Sequence, residues 1–98
     1  MKKLLLILLC LPLIGFGQFT FVPDDNFEQA LINLGVDFLL DDYVDTQGID
    51  TITYLYIPSN SIADLTGIED FTTLRELFCY SNQLTFLDLS NNTQLFEV

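Results

Sequence analysis

From Ile52 to Val98 the apolar residues recur with a period of 22 and then 21, and this recurrence limits the available folds more than any other feature. One unit runs Ile52, Leu55, Ile57, Asn60, Ile62, Leu65, Ile68 and Phe71. The next runs Leu74, Leu77, Cys79, Asn82, Leu84, Leu87, Leu89 and Asn92, and Leu95 and Val98 begin a third. A coil of about 22 residues cannot bury its own apolar edge, so it becomes stable only when a neighbouring coil stacks on it. The pattern therefore predicts stacked coils rather than a closed globular core.

Each unit opens with the spacing L-x-x-L-x-L-x-x-N-x-L, with Ile57 and Cys79 standing in for the third leucine. This resembles the leucine-rich repeat family, whose units carry that spacing with asparagine or cysteine at the fixed polar position. The first unit, with SNSIADLTGIEDFTTL, looks like the 22-residue form of bacterial internalin-type proteins. The second, LRELFCYSNQLTFLDLSNNTQ, resembles a 21-residue bacterial form in which Leu84, Leu87, Leu89 and Asn92 echo Leu74, Leu77, Cys79 and Asn82. The lead-in VPDDNFEQALINLG is similar to the N-terminal cap that precedes such repeats in exported bacterial proteins. The resemblance implies an α/β solenoid, with a short capping helix followed by repeat coils and a short parallel sheet.

Strand alternation assigns the side chains of each coil. Leu55, Ile57, Leu77 and Cys79 point inward, while Ile62, Leu65, Ile68 and Phe71, then Leu84, Leu87 and Leu89, close the core from the convex wall. Asn60, Asn82 and Asn92 recur where the chain turns out of the strand, so their amides are expected to satisfy backbone groups that the turn leaves open. The residues between the inward positions face out, and the repeat offset aligns them: Tyr54 with Glu76 and Glu97, Tyr56 with Phe78, and Pro58 with Tyr80. These seven form the candidate partner-binding face. Exposed aromatic clusters suit protein contacts or the apolar faces of sugars. They equally suit cross-strand support of the sheet.

Three segments are expected. Residues 1–17, MKKLLLILLCLPLIGFG, have two lysines, an apolar run and small residues before Gln18, the pattern of a cleaved export signal. A secreted or outer-surface location follows. Residues 18–50 form an N-terminal cap. Within it Phe27, Ala30, Leu31 and Leu34 fall on one helix face, Asp24 or Asp25 can cap the start with Glu28 in a capping-box position, and Gly35 is a natural stop. Residues 51–98 hold the repeats. The acidic stretch 41–50 invites a calcium reading, but an EF-hand loop begun at Asp42 would place Gln47 at position six and Thr53 at position twelve. A solvated acidic turn is expected there instead.

Beyond the signal, Arg75 is the one basic side chain against fourteen acidic ones, a net charge of −13. Such a field repels phosphate backbones and anionic lipid surfaces, so neither nucleic acid nor membrane is an expected partner. Cys79 is left without a disulfide partner and is expected to fill core. The chain has no histidine, no Gly-rich phosphate loop and no serine elbow, so no catalytic residue, cofactor or metal is expected. Leu95 to Val98 repeats Leu74 to Leu77, which reads as a strand cut short, an N-terminal fragment whose open end is prone to self-association. Two functions are compatible with these features. One is a protein-binding or glycan-binding recognition scaffold without catalysis; the other is the targeting region of a longer secreted enzyme.

Overall fold

The computed structural model describes residues 18–98, so the export signal at residues 1–17 lies outside the described residues. The elements follow as β1 (Phe19–Phe21), α1 (Asp25–Asn33), β2 (Tyr43–Asp45), α2 (Thr46–Ile49), β3 (Tyr54–Tyr56), a 3-10 turn at Ile68–Asp70, and β4 (Glu76–Phe78). β1 pairs antiparallel with β2, placing Thr20 opposite Val44. β3 pairs parallel with β4, placing Tyr54, Leu55 and Tyr56 opposite Glu76, Leu77 and Phe78. That register reproduces the 22-residue offset, and a parallel bridge from Glu76 to Glu97 reproduces the 21-residue one.

One apolar cluster runs through the molecule. Leu55, Ile57, Ile62, Leu65, Ile68, Phe71, Leu74 and Leu77 form its repeat side, and Val22, Phe27, Ala30, Leu31, Val44 and Ile49 its N-terminal side. The Phe27 and Phe71 rings stack at 6.2 Å where the two halves meet. Cys79, Leu84 and Leu89 pack against the cluster with partial burial. Leu87, expected in the convex wall, is instead 38% exposed, because the outer wall of the second unit has only one coil to pack on among the described residues.

Asp24 is the N-cap of α1, and one of its carboxylate oxygens accepts from the Asn26 and Phe27 N–H groups, filling two of the orphan donors of the first turn. Its other oxygen accepts from the N–H groups of Ala63 and Asp64, fastening the helix start to the first repeat unit. Two expectations fail here. Leu34 is half exposed, because the helix ends at Asn33 and Leu34 is already the C-cap residue before Gly35, at φ 84°, turns the chain away. Glu28 does not reach back in a capping box; it is fully buried and accepts from the Asp41 and Asp42 N–H groups.

The acidic stretch is not one solvated turn. Residues 43–45 form β2, and Asp45 caps α2 by accepting from the Gln47 N–H. Phe38, Leu39 and Leu40, ahead of it, are exposed. β1 lies close against the first unit at Gly67, whose φ is 110° and where a Cβ would stand 2.8 Å from Val22 Cγ2 and 2.9 Å from the Phe21 carbonyl. Only glycine fits that approach.

Candidate binding face

The outward residues of β3 and β4 come together as the offset required. Tyr54 and Tyr56 stack nearly parallel with ring centroids 6.4 Å apart, and Phe78 tilts against both at 5.7 and 6.0 Å. Tyr80 meets Tyr56 edge-on at 6.3 Å, and the two phenol oxygens lie 2.9 Å apart. Four rings therefore form a continuous ladder across two units. It is not buried: Tyr54, Tyr56 and Tyr80 keep 52%, 47% and 56% of their surface exposed. The hydrogen bond to Tyr56 pushes the Tyr80 phenol above its ordinary range.

The acidic members flank the ladder. Glu76 faces Tyr54 across the strand pair, and Glu97 continues the same row through its bridge to Glu76. Pro58 lies at the exit of the strand and gives its carbonyl to the Asn60 amide at 2.7 Å. All seven candidate residues thus lie along the β3–β4 face and its exits. Exposed rings beside carboxylates can offer flat apolar contact and hydrogen-bond acceptors together.

The asparagines hold this face in shape, though unequally. The Asn82 carboxamide oxygen accepts from the Asn60 N–H at 2.8 Å and the Ile62 N–H at 3.1 Å, while its amide donates to the Ile57 and Cys79 carbonyls, both at 2.8 Å. It ties the turns of two units together. Asn92 works elsewhere: it is buried and donates to the Ile68 and Phe71 carbonyls at the end of the first unit. Its nested position in the repeat explains why it reaches the 3-10 turn rather than a strand exit.

Cys79 occupies the third inward position of its unit as a free thiol, and burial raises its pKa above the ordinary value, against nucleophilic use. Sequence reasoning missed three buried polar groups of the N-terminal segment. Thr20, although in a strand, is buried and donates to Asp70 Oδ2 at 2.8 Å, joining β1 to the 3-10 turn. Glu28 and Asp37 are both buried, and only the apolar neighbours of Glu28 at i−1, i+2 and i+3 signalled that its position faces the core.

Among the described residues, no helix is long and apolar enough to cross a membrane. No protein-family model matches the chain. Two curated proteins do. Internalin J of Listeria monocytogenes serotype 4b and internalin J of serovar 1/2a are each 41% identical over 71 residues, 72% of this chain and 8% of theirs. The chain therefore spans less than a tenth of those relatives. Among solved structures, the functional domain of InlJ from Listeria monocytogenes, described as including a cysteine ladder, is similar at 38% identity and a TM-score of 0.67, covering 82% of this chain and 18% of that one. An internalin, inlF, from the same species is similar at 27% identity and a TM-score of 0.70, covering 79% and 23%. The period, the strand register and these likenesses agree, and the chain belongs to the internalin-like leucine-rich repeat proteins.

Proposed function

We propose that this chain is part of a secreted or cell-surface recognition scaffold that binds a protein through its β3–β4 face and carries out no catalysis. In this reading residues 18–50 cap the apolar end of a repeat solenoid, residues 51–98 are repeat coils, and the preceding signal directs export. One observation supports it above the others: four aromatic rings form a continuous ladder, and its three tyrosines stay about half exposed. Rings that served only strand pairing would gain by being covered, and aromatic side chains left in water at the centre of a patch are what interface cores are made of. The phenols already bonded to each other lower the entropy lost when a partner docks.

Protein is preferred to glycan because each ring is already engaged by a neighbouring ring, which leaves edges and corners rather than an open stacking plane. The strong negative charge favours a partner that presents cations to Glu76 and Glu97. A probe is obtained by selecting binders to the chain from a random peptide library. The variant combining Tyr56→Ala, Phe78→Ala and Tyr80→Ala is expected to bind the selected peptides at least about tenfold more weakly, with an unchanged far-UV circular dichroism spectrum. Undiminished binding by a folded variant would overturn the assignment, and selective capture of oligosaccharides over peptides would transfer the face to glycans.

A further inference from the structure

The N-terminal segment concentrates negative charge, and among the described residues Arg75 is the one basic side chain. Glu28 on α1 is fully buried, and both of its oxygens accept backbone N–H groups, from Asp41 at 3.1 Å and Asp42 at 2.8 Å. Asp37, in the loop that follows the helix, is 8% exposed. Its Oδ1 accepts from the Phe38 N–H at 2.8 Å, while its Oδ2 is buried with no N–H or hydroxyl donor, the Asp37 carboxyl lying within hydrogen-bond reach of the Glu28 carboxyl. Asp41 completes the group, and one carboxylate oxygen from each of Glu28, Asp37 and Asp41 lies within 4.8 Å of the others. Arg75, the one basic residue after Lys3, is far along the chain with its guanidinium over the Phe96 ring at 5.6 Å.

Two buried carboxylates and a third at the rim gather acceptor oxygens with no positive group to match them, an arrangement that a bound cation would compensate. We infer that Glu28, Asp37 and Asp41 bind one hard divalent cation, of the calcium class, in the loop between α1 and β2. The ligand set is all oxygen, as such an ion requires. Calcium bonds of 2.3–2.6 Å put opposed oxygens up to about 5 Å apart, which accommodates the observed spacing. The Asp37 Oδ2, which no N–H or hydroxyl reaches, supplies the vacant acceptor, and the Asp41 and Asp42 N–H groups hold Glu28 in place while leaving it lone pairs to coordinate with. This site is not the loop of alternating acids that the sequence offered at residues 41–50. There Asp45 caps α2, and the stretch is broken into a strand and a helix.

The alternative occupant is a proton shared by Glu28 and Asp37. In keeping with it, burial pushes the Glu28 carboxyl up to about 7, with Asp37 adding to the rise and the two backbone N–H groups opposing it. The two differ in what they respond to. The chelated protein is titrated with calcium chloride, and separately with magnesium chloride, at pH 7.5 while heat release and thermal midpoint are followed. Saturable binding of one calcium ion with a dissociation constant of ~10⁻⁴ M and a higher thermal midpoint is expected. Asp37→Asn should weaken that binding about tenfold or more, and Asp41→Asn, at an exposed position, repeats the test should the first variant fold poorly. No saturable binding by the native chain, or equal binding by folded variants, would overturn the site. In that event a higher midpoint of Asp37→Asn in chelator would assign the pair to a shared proton.

Discussion

Asn82 makes the clearest case for a single side chain that holds two repeat units in register. It serves five backbone groups on both units, including the Tyr80 carbonyl two residues before it at 3.4 Å, whereas the Asn60 side chain, at the equivalent position one unit earlier, donates to the Pro58 carbonyl two residues away. Asn82→Ala is therefore expected to cost about 2–4 kcal/mol in urea denaturation and Asn60→Ala about 1 kcal/mol. Equal losses would contradict the unequal roles. Gly67→Ala is expected to cost about 2 kcal/mol or more, because the new methyl meets Val22 and the Phe21 carbonyl in a backbone conformation that alanine avoids. Glu28 sets a pH dependence. Its folded pKa is raised, so in calcium-free buffer the folded state holds a proton that the unfolded chain releases near 4.5, and stability falls as pH rises from there to about 7. Asp25, Asp37, Asp41 and Asp42 all place a carboxylate oxygen near this carboxyl; Asp37 adds to the rise, while the backbone N–H groups of Asp41 and Asp42 oppose it. Glu28→Gln should flatten the thermal midpoint against pH over that window. The asparagine positions were legible because the repeat prints them at a fixed offset. Glu28 was not, because a glutamate three residues after an aspartate has the same spacing whether it caps a helix or turns into the core.

β3 and β4 were readable to the residue, since a fixed offset in a parallel sheet dictates which side chains stand opposite one another. The observed pairing of Tyr54, Leu55 and Tyr56 with Glu76, Leu77 and Phe78 follows it throughout. α1 was readable in its core face but not at its end. Periodicity extends to Leu34, whereas the hydrogen-bond pattern stops at Asn33. β2 and α2 were hidden, because strands and helices of three or four residues are too short to show a period. Their formation depends on β1 as antiparallel partner, a contact some 25 residues away in sequence. Asp24 joins these elements to the repeats, capping α1 and holding the Ala63 and Asp64 N–H groups. Asp24→Ala is thus expected to destabilise the protein by about 2 kcal/mol, above the ~1 kcal/mol of an ordinary cap. A loss no larger than the ordinary value would mean the bonds to the first unit carry nothing.

Taken as one body, the molecule has a single apolar cluster that passes from the N-terminal segment into the repeat units, and an aromatic ladder on its β3–β4 face. The cluster follows from stacking: each unit covers the apolar edge of the one before, and the N-terminal segment packs Phe27 on Phe71. The ladder follows from the same offset, which puts aromatic side chains at matching outward positions. Position was therefore legible in the sequence, but exposure was not, because it depends on whether anything in the chain folds over the face. The outer wall, with Phe86 76% exposed and Leu87 38% exposed, is the rival contact surface. Chemical-shift mapping by NMR with a library-selected peptide separates the two directly. Perturbations concentrated on Tyr54, Tyr56, Glu76, Phe78 and Tyr80 are expected, and perturbations concentrated instead on Asp64, Leu65, Phe86 and Leu87 would contradict the β3–β4 face as the site of recognition.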